Sequence, residues 1–146
     1  MILRKLHTFY RQSTRRKLLF GLGLVFAFYS WFMFRFFKKY ARFGSKAQGN
    51  TSINQVFSAS HSSLVLDIRW AIFTVNKYVF WQNACRHQAY QAKLFCNFFK
   101  IPYQIFVGFK KSENGKIEGH AWTIVNEEII TGFCNPDEYV VQDIYK

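Results

Sequence analysis

A thiol and an imidazole held together make a hydrolytic or acyl-transfer site. This chain of 146 residues offers three cysteines and four histidines from which to build one. Cys85 is the best placed thiol. It follows Trp81-Gln82-Asn83-Ala84, where Asn83 is suited to cap a helix running from Ala84 to about Phe99. The first turn of a helix presents unpaired backbone N–H groups and the positive end of the dipole. Both favour a thiolate, which is the nucleophile. His120 lies two elements later, near the start of a strand-like run, and can act as base and then as acid for a leaving amine. Cys96 sits mid-helix on an apolar stripe and Cys134 has no comparable setting, so both read as structural. His87, two residues after Cys85, reads as a surface residue. His7 and His61 carry no signal. No C-x-x-C pair exists, and the Cys–His pair requires neither metal nor redox cofactor.

The elements that must position this pair are readable. Leu64 to Phe80 carries apolar residues at helical spacing, with Leu66, Trp70, Phe73 and the Lys77 stem on one side and Ile68, Ile72 and Val75 nearby. The second helix has Ala89, Ala92, Phe95, Cys96 and Phe99 as its stripe, Lys100 in its last turn and Pro102 as its stop. Strand-like runs follow at 103–110, 119–125 and 129–131, with an edge strand expected over 139–144. Helices followed by antiparallel strands give an α+β class.

Half of the residues are hydrophobic and 18 are Phe, which excludes disordered and low-complexity classes. Three cysteines exclude a disulfide scaffold. The net charge of +12 is unevenly placed: residues 1–46 hold 11 Lys or Arg and no acid, whereas the rest is nearly neutral. The chain divides into a basic, aromatic arm (1–46), a polar linker (47–63) with a short helix near Asn54–Ala59, and a body (64–146). Within the arm, Leu18 to Phe34 is uncharged and flanked by basic residues on both sides. At ~1.5 Å per residue it spans roughly 26 Å, slightly short of a membrane core. A membrane segment over 18–37, a helix packed on the body and a helix lying on a membrane surface all fit. A signal peptide fits poorly, because no small-residue cleavage site follows. Nucleic-acid binding is disfavoured, because the basic residues flank an apolar segment and form no continuous cationic face.

Trp81 to Gly132 resembles the lasso-peptide leader peptidases, the transglutaminase-like B proteins of lasso-peptide biosynthesis. The likeness rests on Asn83-Ala84-Cys85-Arg86, on Ala89 and Leu94, and on Phe99-Lys100-Ile101-Pro102. It continues through Ile105-Phe106-Val107-Gly108-Phe109 and Gly119-His120-Ala121-Trp122. It implies a transglutaminase-like or papain-like cysteine protease core, with Cys85 as nucleophile and His120 as its partner. The backbone N–H of Cys85, with the Gln82 amide as a further candidate, would form the oxyanion hole.

The resemblance also implies an Asp beyond the strand that follows His-Ala-Trp, and here the chain departs from it. Residues 131–137 offer Asn135 or Asp137, or no third member. A two-residue hairpin turn in either register puts Asn135 on the face of His120, with Asp137 beyond Pro136 on that face. A three-residue turn would shift the parity. The implied substrate is a lasso precursor peptide. The implied partners are a separate leader-recognition-element protein and an ATP-dependent lasso cyclase. A cytoplasmic location is expected, with membrane association through 18–37 left open. A transglutaminase-like acyltransferase and a membrane-associated non-catalytic protein are the alternatives.

Overall fold

The computed structural model describes residues 10–37, 42–46, 59–81, 84–112 and 114–146, and only the backbone of 59–62. The short helix expected near Asn54–Ala59 lies almost wholly outside them. Among the described residues the chain forms α1 (Thr14–Phe36), α2 (Ala59–Tyr78), α3 (Cys85–Phe98), β1 (Gln104–Lys111), β2 (Ile117–Val125), β3 (Glu128–Thr131), a 3-10 turn (Pro136–Glu138) and β4 (Val140–Tyr145). The expected strands are all present. The sheet is antiparallel, in the order β3-β2-β1-β4.

Helix α1 starts where the Ser13 hydroxyl accepts from the Arg16 N–H. Leu19, Gly23, Ala27, Ser30 and Phe34 recur at helical spacing and are its buried face. Small residues let the helices approach. A Cβ on Gly23 would stand 3.1 Å from Val75 and 3.6 Å from Phe95. Arg15 and Arg16 each donate to Asp67 on α2, with Nε–O distances of 2.6 Å. Burial pushes the Asp67 carboxyl pKa up, but the two guanidiniums outweigh it and hold the pKa below its usual value. The arm's helix therefore packs on the body and shares its core.

The buried face of α2 is Val65, Ile68, Ala71, Ile72 and Val75. On the side carrying Leu66, Trp70, Phe73 and the Lys77 stem, Leu66 and Phe73 are exposed while Trp70 is partly buried against the core. In this orientation Asp67 reaches α1 and meets its two arginines. The core lies between the helices and one face of the sheet, where Ile105, Ala121, Val125 and Ile130 meet Ile68, Phe95 and Cys96.

Helix α3 ends in a Schellman arrangement: Ile101 N–H bonds Cys96 O (2.8 Å) and Lys100 N–H bonds Asn97 O (3.3 Å). Lys100 is left-handed there, with φ of 55°. A side chain in that conformation costs roughly 1–2 kcal/mol, of which glycine's extra chain entropy would take back about half. Lys100→Gly is expected to gain about 0.5–1 kcal/mol, read as a higher urea midpoint at an unchanged m-value.

The β2–β3 turn is Asn126-Glu127, both residues with positive φ, as a two-residue type I′ turn requires. A bulge then shifts the register: Val125 pairs Glu128 and Ile124 pairs Ile129, but Thr123 pairs Thr131. Pairing ends at Thr131, so the parity argument that aligned Asn135 with His120 does not extend to that residue.

Candidate active site

The N-cap of α3 is Ala84, not Asn83, which lies outside the described residues, as does Gln82. Cys85 is consequently the first helical residue. Its half-buried side chain packs against the core. Ala84 has no capping side chain, so the cap is supplied from inside the helix. His87 Nδ1 accepts a 3.2 Å hydrogen bond from Ala84 N–H. His87 is buried at 3% exposure, edge-on to Phe34 at 5.0 Å. The expectation of a surface residue is corrected here. The third helical position turns the ring back toward the helix start, and α1 covers it.

Burial, and after it the Arg86 charge, pushes the pKa of His87, the acceptor of the Ala84 bond, down from 6.5 to about 4. The ring accepts that bond only when neutral. Between pH 6.5 and 4 the unfolded chain binds a proton that the folded chain refuses. The stability from the neutral ring is therefore complete above pH 6.5 and is lost as pH falls through 4. In that window the unfolding free energy should fall with a slope of up to ~1.4 kcal/mol per pH unit. His87→Gln, which can still accept but does not titrate, should remove this component in denaturant titrations at stepped pH.

His120 stands on β2 opposite Gly108 of β1. Strand alternation sends Ala121, Thr123 and Val125 toward the helices and puts His120 and Trp122 on the other face. The His120 ring lies beside Trp122 at 6.2 Å and Tyr139 at 5.3 Å, and Trp122 is stacked in turn on Phe106 at 5.5 Å. Its Nε2 lies 3.0 Å from Gly132 O. A carbonyl only accepts, so Nε2 carries the hydrogen and Nδ1 holds the lone pair of the neutral ring.

Gly132 is built for this contact. Its φ is +66°, and an added Cβ would collide with Ala121 O and lie 2.9 Å from Trp122 Cα. Burial raises the pKa of the half-buried Cys134 thiol most and the Glu138 charge raises it further, against the Lys110 charge, which lowers it. Cys85 belongs to the helix layer and His120 to the sheet. Cys96 is sealed in the core, and burial pushes its thiol up to about 12.

Neither candidate third member occupies the Nε2 position held by Gly132. Asn135 Oδ1 accepts from Asp137 N–H at 3.3 Å and caps the 3-10 turn; both residues are exposed. Sequence reasoning missed His87 and Gly132. The signal for His87 was its place three residues after the cap, where a capping-box side chain sits. The signal for Gly132 was a lone glycine at a strand end.

A sequence model of the transglutaminase-like superfamily matches residues 30–142. No curated protein and no solved structure matches the chain.

Proposed function

The chain belongs to the transglutaminase-like superfamily, and from that premise we propose that it is a cysteine peptidase that removes the leader from a lasso precursor peptide. The observation that carries this reading is a His120 ring whose Nε2 is fixed on Gly132 O, and Cys85 at the first turn of α3 is the thiol we assign to it. That bond orients the base and leaves Nδ1 to take a proton. The lasso assignment rests on the likeness of Asn83-Ala84-Cys85-Arg86, Phe99-Lys100-Ile101-Pro102 and His120-Ala121-Trp122 to the leader peptidases.

The proposed mechanism has two stages. His120 Nδ1 takes the Cys85 proton, and the thiolate attacks the carbonyl carbon at the leader–core junction. The oxyanion is met by the Cys85 N–H, one of the helix's first four amides, with Gln82 as a second candidate donor. The imidazolium returns the proton to the core's departing nitrogen as the C–N bond breaks, leaving a leader thioester on Cys85. Water, deprotonated by the same Nδ1, then attacks the thioester. The leader leaves as a carboxylate and Cys85 regains its proton. The Gly132 carbonyl serves as the orienting group that Asn135 or Asp137 would otherwise supply.

The proposed partners are a separate recognition protein that presents the leader and an ATP-dependent cyclase that consumes the freed core amine. An acyltransferase of the same superfamily would release ammonia from glutamine and join two chains. Coupled ammonia detection beside chromatography of the precursor separates the two. Leader and core without ammonia support the peptidase, and ammonia with a cross-linked product overturns it.

A further inference from the structure

We infer that the outer face of α1 is a docking surface for anionic lipid, on which the helix lies parallel to the membrane without crossing it. Helix α1 is uncharged from Leu18 to Phe34 and is long and apolar enough to span, yet only 22% of its apolar stretch is buried. A helix that is apolar all round needs cover all round. Here one side has it: Leu19, Gly23, Ala27 and Phe34 pack on α2 and α3, and Arg15 and Arg16 are held by Asp67. A spanning helix would have to surrender that core and the bonds that Arg15 and Arg16 make to the buried Asp67.

The opposite side is open. Leu18 is 70% exposed and Val25 61%, and Phe28, Phe32 and Phe36 continue the stripe. At ~1.5 Å per residue it runs about 27 Å. Ring contacts carry the surface on from Phe36 through Phe32 and Phe28 to Trp81, and from Trp81 to Phe80, which is 96% exposed. Trp81 is four residues before Cys85, so the docked surface would reach the neighbourhood of the candidate site.

Charge selects the occupant. Basic residues flank both ends of the stripe, and the first 66 residues contain no Asp or Glu. Two copies packed by this face about a two-fold axis would set these cationic ends against each other. An anionic lipid surface satisfies both features: apolar side chains enter the acyl boundary and the lysines and arginines meet phosphates.

The test is flotation of the full-length chain with phosphatidylcholine vesicles, with and without about 30% phosphatidylglycerol. We expect at least tenfold tighter binding to the anionic vesicles, release by high salt, and extraction by alkaline carbonate. Leu18→Glu with Val25→Glu should lower binding at least tenfold while circular dichroism and the urea midpoint stay near native, since neither residue enters the core. Arg35→Gln should weaken binding and reduce its salt dependence. Three results would overturn the inference: equal or absent binding to the two vesicle types, carbonate-resistant insertion, or a dimer in solution that the Leu18/Val25 variant converts to monomer. None of these readouts depends on peptidase activity.

Discussion

Cys85→Ala should abolish precursor cleavage, with a loss of at least about 10⁴-fold in kcat, because the proposed mechanism forms its thioester on that thiol. The fold should survive. Cys85 is half-buried at the first turn of α3, and its removal leaves the His87–Ala84 cap intact. Cys96→Ala offers the contrast. Its thiol is 1% exposed inside the core, so it should cost about 1 kcal/mol of stability and little activity. Turnover of the precursor at matched folded fraction, read by chromatography, checks both. Full activity in Cys85→Ala would remove the nucleophile from the mechanism.

The second large effect is expected from a residue with no side chain. Gly132→Ala places a methyl group against Ala121 O in a left-handed conformation. Relief requires the 132–134 segment to move, and the carbonyl on His120 Nε2 moves with it. A displacement of about 1 Å at an orienting group can cost ~10²-fold, so a 10²–10³-fold loss of kcat is expected with KM nearly unchanged. Stability should fall by about 2 kcal/mol. A purely structural role would lower only the folded fraction. The distinguishing readout is therefore kcat per folded molecule, together with the pH profile and the ring nitrogen shifts of His120. Asn135→Ala and Asp137→Ala should each change kcat less than about fivefold. A loss of ~10³-fold in either would identify that side chain as the orienting group and refute the role given to Gly132.

What the sequence disclosed followed from local periodicity. The apolar spacing over 85–98 and 104–125, with Pro102 as a stop, located α3 and the first two strands within two residues. Cys85 and His120 were conspicuous because their elements were. The other features depend on tertiary partners. His87 looked exposed because nothing local announces that α1 covers it. The bulge that breaks the His120–Asn135 register inserts a residue without a sequence mark, so a period-two argument fails beyond it. Helix α2 presents two apolar sides, and the inner one, with Ile68, Ile72 and Val75, is evident only once α1, α3 and the sheet are packed on it and Asp67 meets Arg15 and Arg16. The apolar run of α1 was evident, but its division into a packed face and an open face appears only when Gly23 meets Val75 and Phe95 and Ala27 is buried beside it.

The most direct test of the central claim is mass spectrometry of a lasso precursor peptide, incubated in ¹⁸O-water with a leader-recognition protein and the full-length chain. Thioester hydrolysis predicts an intact leader with one ¹⁸O atom in its new terminal carboxylate and an unlabelled core with a free amine. A precursor left whole while both proteins are folded, or a cross-linked product that has lost ammonia, would contradict the account.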